Sequence, residues 1–156
     1  MARIPDADAV APAVHEAVAR HREPGALLPI LHDLQDHLGC IPPAAIAPLA
    51  SELNLSRADV HGVVTFYPDL HEQPRGARVV RLCQAEACQA VGARELAAHA
   101  SARLGIPLGA TTPDGHVTLD EVFCLGNCAL GPSVQVDGVL HGRVDAARLD
   151  ALVETP

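Results

Sequence analysis

The sequence predicts an α+β protein in which a helical bundle precedes a small domain built on a mixed sheet. Three observations predict this class. Residues 1 to about 74 carry apolar side chains at helical spacing and show no strand-like alternation. Residues 68–76 have the polar, Pro- and Gly-containing composition of a linker. Beyond them, short alternating segments appear between helical ones. The expected domains are therefore a helical bundle with its linker, residues 1–74, and a mixed-sheet domain, residues 75–156.

The N-terminal region is expected to hold several short helices that pack on one another, because each alone is too short to be stable in water. The Pro-Gly pair at residues 24–25 breaks the first, and Gly39 stands where a C-terminal cap of the second belongs. Pro43 supplies the fixed first turn of the third. Ser56 followed by Asp59 is a weak relative of the capping box and starts a fourth. The apolar face of the second helix consists of Leu27, Leu28, Ile30, Leu31, Leu34 and Leu38.

The C-terminal region is expected to alternate strands with helices. The predicted elements are a strand at 78–82 ending at Cys83, a helix at 89–104, a strand at 116–123 running into Cys124, two strands at 133–136 and 139–141, and a helix at 144–153. The Asp-Gly pair at residues 137–138 is a strong hairpin signal between two short apolar runs. In the long helix, the side chains expected to face inward are Val91, Leu96, Ala97, Ala100 and Leu104. This order resembles the inner skeleton of a thioredoxin-like fold, in which Pro132 is a candidate for the cis proline.

Composition excludes several classes of function. The chain has 156 residues, 49% of them of hydrophobic type, so it can bury a substantial core. All eleven basic residues are scattered Arg, against nineteen acids and a formal charge of −8, which disfavours nucleic acid and anionic membranes as partners. No apolar run approaches the roughly 20 residues of a membrane span, and the start lacks the apolar stretch of a signal peptide. The expected location is the cytoplasm.

Four of the five cysteines form two pairs, and they are the candidate site. Four residues separate Cys83 from Cys88, three separate Cys124 from Cys128, and thirty-five lie between the pairs. Each pair follows a predicted strand, so neighbouring strands would bring both loops to one edge of the sheet. In a reducing compartment, clustered thiols indicate a metal centre or redox chemistry rather than disulfides.

The spacing leaves three kinds of site open. A two-iron, two-sulfide cluster needs two thiolates on each iron, which suits two pairs on two loops. A zinc-stapled interaction module would also use four thiolates. A freestanding redox regulator with reactive thiols is the third alternative, although the two-residue spacing of a thioredoxin active site is absent. Cys40 stands apart from these four and is expected to be a small buried hydrophobe, and His32 and His37 are expected on a solvated helix surface.

Longer segments around these cysteines carry a family resemblance that extends over about residues 12–153. CQAEAC at residues 83–88 with Gly92, and FCLGNCALGP at residues 123–132, resemble the thioredoxin-like 2Fe-2S ferredoxins. HGVVTFY at residues 61–67 resembles the small iron–sulfur subunit of NADH:quinone oxidoreductase, complex I. PGALLPILHD at residues 24–33 and CQAEACQAVG at residues 83–92 are similar to the gamma subunit of the molybdenum-containing NAD-dependent formate dehydrogenase.

The resemblance implies a non-catalytic electron-transfer subunit. It implies that Cys83 and Cys88 hold one iron of a 2Fe-2S cluster and that Cys124 and Cys128 hold the other. It places FMN and the NADH site on a beta-type partner subunit, and the molybdenum cofactor on an alpha-type partner subunit. The equivalent subunit of complex I or of an NAD-reducing hydrogenase is the alternative assembly. This chain shows no Gly-rich dinucleotide motif and no phosphate loop of its own.

Overall fold

The computed structural model describes residues 5–154, which divide into two units with the boundary between Pro74 and Arg75. The class is α+β, as predicted. The first unit is helical, and the second contains the whole sheet. Within residues 5–154, none of the helices combines the length and the apolar character that crossing a bilayer requires.

The first unit consists of four helices joined by short turns. They are α1 (Ala7–Arg20), α2 (Leu27–Leu38), α3 (Pro43–Leu53) and α4 (Arg57–Phe66). The expected end signals are confirmed: Gly39 caps α2 with φ +79°, Pro43 stands at the start of α3, and Ser56 with Asp59 forms a complete capping box on α4. The apolar faces meet in one core, whose largest fully buried side chains include Ile30, Leu31, Leu34, Ile41 and Leu49.

The second unit is a five-stranded mixed sheet with helices. Its elements are β1 (Arg78–Cys83), α5 (Glu86–Gln89), α6 (Ala93–Leu104), β2 (Ala110–Thr111), β3 (Val117–Val122), β4 (Val134–Val136), β5 (Val139–His141) and α7 (Ala146–Glu154). The strand order is β2-β3-β1-β4-β5. β1 is central, parallel to β3 and antiparallel to β4, so the carboxyl ends of β1 and β3 lie side by side.

The sheet core is aliphatic and covers the inward faces of α6 and α7. It is built around Val80, Leu82, Leu119, Val134 and Leu149, each almost inaccessible to solvent. The peptide bond before Pro132 is cis, as anticipated for this position.

Two details differ from the sequence prediction. The helix expected at 89–104 begins only at Ala93, because Gly92 adopts φ +101° at its N-terminal boundary, and a separate short helix, α5, precedes it at Glu86–Gln89. Val91 consequently lies outside α6 and is 54% exposed, whereas its place in the helical pattern predicted burial. The two-residue strand β2 was not predicted, since two residues are too few to show a period.

Candidate metal centre

The two cysteine loops leave one edge of the sheet beside each other. β1 and β3 are parallel neighbours, and Cys83 is in register with Val122. The backbone N–H of Gln84 still donates to the carbonyl oxygen of Val122, at 2.8 Å, so the segments that follow β1 and β3 diverge only after this point. Cys124 follows two residues later. The expectation that both loops overhang the same strand ends is therefore confirmed for residues on β1 and β3.

The first pair is buried. Cys83 ends β1 and is 3% exposed, and Cys88 lies in the short helix α5 and is 2% exposed. Both pack against Ala93 at the start of α6. The side-chain amide of the buried Gln84 donates to the carbonyl oxygen of Ala93 at 3.2 Å, which ties the loop between the two cysteines to α6.

The second pair is exposed. Cys124 and Cys128 both present their side chains to solvent, on a loop that closes with a 3₁₀ turn at Cys128–Leu130. The backbone N–H of Gly126 donates to the Sγ of Cys124 at 3.3 Å. Cys124 adopts φ +129°, which L-residues rarely adopt and which costs on the order of 1–3 kcal/mol. Such strained residues concentrate at binding and catalytic sites.

Within each pair one thiol raises the pKa of the other, and the two pairs lie within electrostatic range of each other. Burial raises the pKa of the Cys88 thiol, and its hydrogen bond with the Cys83 thiol raises that pKa further. A hydrogen bond with the Cys124 thiol raises the pKa of Cys128, and the nearby Cys83 also contributes to that increase. Across residues 5–154, no three Cys, His, Asp or Glu side chains are grouped so as to hold one metal ion together.

This arrangement fits a binuclear iron–sulfur group. Two thiol pairs would provide two ligands for each of two irons, and the backbone N–H of Gly126 reaches one of the four candidate sulfurs, that of Cys124. Gly131 leaves room beside the buried pair: a Cβ at this position would lie 2.9 Å from Cγ2 of Val91 and 3.4 Å from Sγ of Cys88. A larger residue at position 131 would therefore crowd the first ligand pair.

The remaining candidates lie elsewhere. Cys40 belongs to the helical unit, where it is fully buried, and burial raises the pKa of its thiol, in agreement with a structural role. His32 and His37 are exposed on α2, as expected.

Sequence reasoning missed Ser133, which is 2% exposed and whose carbonyl oxygen accepts the backbone N–H of Cys83 at 3.0 Å. A serine ahead of a short strand gives no sequence signal of such a contact.

Comparison with known proteins identifies the family. The family model "Thioredoxin-like [2Fe-2S] ferredoxin" matches residues 14–156. An NADH-quinone oxidoreductase subunit of Rhizobium meliloti (strain 1021) is 38% identical over 91% of this chain and 85% of its own length. An NADH-quinone oxidoreductase subunit of Escherichia coli (strain K12) is 33% identical over 91% and 86%. The NADP-reducing hydrogenase subunit HndA of Solidesulfovibrio fructosivorans is 31% identical over 83% and 75%.

A solved structure shares the architecture. The crystal structure of an NAD+-reducing [NiFe]-hydrogenase in the air-oxidized state superposes with a TM-score of 0.70 at 25% identity. The match covers 86% of this chain but only 23% of the hydrogenase chain, so this chain spans about a quarter of that longer polypeptide. With the family model covering most of the sequence, the conclusion is direct: the chain belongs to the thioredoxin-like [2Fe-2S] ferredoxin family.

Proposed function

We propose that this chain binds one 2Fe-2S cluster and serves as an electron-transfer subunit of an NAD(P)-linked, multi-subunit oxidoreductase. The proposal assigns Cys83 and Cys88 to one iron and Cys124 and Cys128 to the other. The observation that carries it is the placement of two thiol pairs at the ends of two parallel, adjacent strands. Relatives named as subunits of NADH-quinone oxidoreductase and of hydrogenases support the functional class.

In this role, the protein would hold the cluster, shield one side of it from water and leave the other side accessible to a redox partner. When bound, the cluster supplies a site that accepts and releases one electron at a time, which complements the two-electron chemistry of nicotinamide. Cys83 and Cys88, buried beside Ala93, fix one side of the site and keep water from it. Cys124 and Cys128 lie at the surface, so a redox partner can come close to the site from that side.

The first experiment tests the cluster itself. The full chain is purified under argon and analysed for iron, acid-labile sulfide and zinc, with visible and electron paramagnetic resonance spectra before and after dithionite. We expect about two irons and two sulfides per chain and a paramagnetic signal on reduction. A colourless chain that carries zinc would establish the interaction-module alternative instead. A colourless chain without metal, whose thiols oxidise reversibly, would establish the redox regulator.

The relatives favour an NADH-quinone oxidoreductase or a hydrogenase over a formate dehydrogenase as the parent assembly. Subunits of NADH-quinone oxidoreductase and of hydrogenases support a place in an assembly of that kind. Formate dehydrogenase is the second candidate, favoured by the segments at residues 24–33 and 83–92. In that assembly, a beta-type subunit with FMN and the NADH site and an alpha-type subunit with the molybdenum cofactor would be the partners.

The second experiment identifies the assembly. The tagged chain is expressed in its native host, and its stable partners are isolated under anaerobic conditions, identified by mass spectrometry and assayed for NAD reduction. Activity with formate and molybdenum in the complex would select formate dehydrogenase. Activity with hydrogen and nickel would select a hydrogenase, and NADH-dependent quinone reduction would select the quinone oxidoreductase. A chain that purifies alone under conditions that preserve such complexes would contradict the subunit role.

A further inference from the structure

A groove on the surface of the sheet unit adjoins the first cysteine pair. Its volume is about 380 Å³, near the lower end of the range of roughly 300–1,000 Å³ found for ligand pockets. It is lined by α6 and the turn before it, by residues 131–132 and by residues 143–146. Gly131, in its wall, is so close to the sulfur of Cys88 that an added Cβ would lie 3.4 Å from it. An occupant of this groove would therefore sit beside the candidate metal centre.

The walls of the groove are mainly apolar. Leu96 and Val144 line it and also belong to the core of the sheet unit, and Pro132 lies with them. Val91 lines the groove as well, and this valine is 54% exposed. An open apolar groove with exposed aliphatic side chains is typical of a surface that another protein covers.

Arg143 brings a positive charge to this groove. It is exposed, and within residues 5–154 its guanidinium makes neither a hydrogen bond nor an ion pair. Other arginines of the sheet unit have partners. Arg103 pairs with the carboxylate of Glu154 at 2.6 Å, and Arg148 donates to the carbonyl oxygen of Gly142 at 3.0 Å. An arginine without a partner suits a carboxylate, which its planar guanidinium can bind through two parallel hydrogen bonds.

The backbone of Arg143 is held in an unfavourable conformation. Its N–H donates to the carbonyl oxygen of Leu130 at 2.6 Å, and the N–H of the next residue, Val144, donates to the carbonyl oxygen of Pro132 at 3.0 Å. Between these anchors Arg143 adopts φ +52°, in the left-handed region that favours glycine. Glycine would satisfy this backbone with less strain, and strained residues concentrate where a side chain has a binding role.

The other charged groups of the groove have partners within the fold. Oδ1 of Asp145 accepts the backbone N–H of Arg148 at 2.8 Å at the start of α7. Glu95 lies in the first turn of α6, where the helix dipole favours a carboxylate. The ring of His99 is hydrogen-bonded to an aspartate of α7 at 2.9 Å. The charge of Arg143 is therefore the one in this groove that a partner from outside can match.

We propose that this groove is a docking site for a neighbouring subunit of the same assembly, which places an apolar side chain in the groove and pairs a carboxylate with Arg143. This inference rests on the proposed function, in which the chain is one subunit of a larger oxidoreductase. Charge complementarity selects the chemistry of the partner, because an unpaired arginine beside apolar walls fits an acidic side chain next to an apolar one. The exposure of Val91 and Arg143 favours a protein surface over a small molecule, most of whose surface would be enclosed by its pocket.

The test is a competition for places in the assembly. Tagged variants are produced in the native host beside the untagged parent chain, and the complexes are isolated under anaerobic conditions. Mass spectrometry then gives the ratio of tagged to untagged chain, which is compared with that of a tagged parent. Arg143→Gln should enter the complexes at least about tenfold less than the tagged parent, because the carboxylate of the partner would be left unpaired. Arg57→Gln is the control: Arg57 is also exposed and without an ion pair within residues 5–154, but it lies on α4, and this variant should compete normally.

Two further variants separate binding from folding. Because glycine suits φ +52°, Arg143→Gly should unfold at the same denaturant concentration as the parent or a higher one, and should still enter the complexes as poorly as Arg143→Gln. A purely backbone role predicts normal entry instead. Val91→Asp adds a like charge to the proposed site and should be excluded, whereas Val139→Asp, at a similarly exposed valine of β5, should not.

The outcomes separate the docking site from the function on which it rests. Normal entry of Arg143→Gln with a full complement of iron would overturn the docking site and leave the cluster standing. Poor entry of both Arg143 variants together with weakened unfolding would make Arg143 structural, which also overturns it. So would a dimer of the chain that Arg143→Gln dissociates, or a small carboxylate that native mass spectrometry finds on the parent alone. An unmodified chain that enters no complex would overturn both the docking site and the subunit role.

Discussion

The two cysteine pairs follow equivalent strands of the sheet, but one pair is buried and the other is exposed to solvent. Each follows a strand, and those strands are parallel neighbours in one sheet. Yet Cys83 and Cys88 are almost inaccessible to solvent, whereas Cys124 and Cys128 are exposed. The difference arises after the strands end. The first loop turns at once into α5 and packs on the start of α6, but the second continues as an open loop with one short turn.

This difference in burial suits a metal centre that the protein must hold rigidly on one side and leave accessible to a redox partner on the other. The buried pair is fixed by backbone and amide hydrogen bonds from segments on two sides, through Ser133 and Gln84. The exposed pair lies on a loop in which Cys124 accepts the N–H of Gly126 and adopts strained backbone. We therefore expect changes at the first pair to affect both the fold and the cluster, and changes at the second pair to affect the cluster alone.

The largest expected effect is the loss of a ligand. Cys88→Ser and Cys124→Ser should each abolish most of the visible absorption and most of the bound iron, because each removes one thiolate from an iron. They should differ in the cluster-free form. Cys88→Ser places a hydroxyl in a buried site and should lower the free energy of unfolding by about 1–3 kcal/mol. Cys124→Ser is at the surface and should stay within about 0.5 kcal/mol of the parent.

Cys40→Ser is the matched control for these variants. It also puts a hydroxyl into a buried position, but in the helical unit, whereas the candidate ligands belong to the sheet unit. It should destabilise the chain while leaving iron content and the visible spectrum intact. A Cys124→Ser chain that keeps a normal spectrum, or a Cys40→Ser chain that loses it, would show that the ligand set has been assigned wrongly.

The next effect is a difference in thiol reactivity. In the cluster-free chain at pH 8, iodoacetamide should modify Cys124 and Cys128 at least tenfold faster than Cys83 and Cys88, because only thiolates react and the buried pair is shielded. Peptide mapping by mass spectrometry at timed intervals measures each site.

The pH dependence of the same reaction follows from the raised pKa values of Cys88 and Cys128. Below its pKa, a thiol loses about tenfold in thiolate fraction for each pH unit, so a raised pKa means slower labelling at neutral pH. The labelling rates of Cys88 and Cys128 should therefore keep rising above about pH 8.5, where an unperturbed thiol begins to level off. Equal rates for all four thiols would mean that the burial of the first pair is lost without a cluster.

Steric crowding should give a smaller difference, of up to about 2 kcal/mol between two glycine variants. Gly142→Ala would place a Cβ 2.7 Å from Cβ of Leu130 and 2.8 Å from its carbonyl oxygen, in the turn that supports the exposed pair. Gly131→Ala meets chiefly Cγ2 of Val91, a side chain exposed enough to rotate away. Overpacking costs about 1–3 kcal/mol, and we expect Gly142→Ala near the upper end and Gly131→Ala near the lower.

Denaturant unfolding of the cluster-free variants measures this prediction. Gly62→Ala serves as the control, because a Cβ on this residue of α4 meets nothing within 4 Å. It should be neutral or stabilising by up to about 1 kcal/mol, as expected for Gly to Ala inside a helix. If Gly131→Ala proves the more damaging of the two, Val91 is held more tightly than its exposure indicates.

The sequence predicts where the thiols lie in the fold, but it does not predict which of them are buried. Two apolar strands, each leading into a cysteine, are visible as local patterns, so the positions of the thiols and their grouping into two pairs on two loops could be predicted. The burial of Cys88 could not, because it depends on the break at Gly92 and on packing against Ala93. The contact between Ser133 and Cys83 joins residues fifty positions apart and depends on the antiparallel pairing of β1 with β4, which no local pattern encodes.

The smallest expected effect tests whether the asymmetry is local to the sheet unit. Ser56→Ala removes the N-cap of α4 in the helical unit and should lower the free energy of unfolding by about 1 kcal/mol. Hydrogen bonds from the side chain and backbone of Ser56 lower the pKa of Asp59. The stabilisation from this carboxylate is therefore complete above its unfolded pKa of about 3.9 and is lost as the pH falls through the lower folded value.

The measurement is thermal unfolding of parent and Ser56→Ala between about pH 2 and pH 7, with thiol labelling in parallel. The gap in stability between the two chains should narrow at the acid end, because protonated Asp59 no longer accepts strongly from the hydroxyl of Ser56, a hydrogen bond that only the parent can form. The labelling ratio between the buried and exposed pairs should stay at its parent value. A changed ratio would show that the difference between the pairs is not a property of the sheet unit alone.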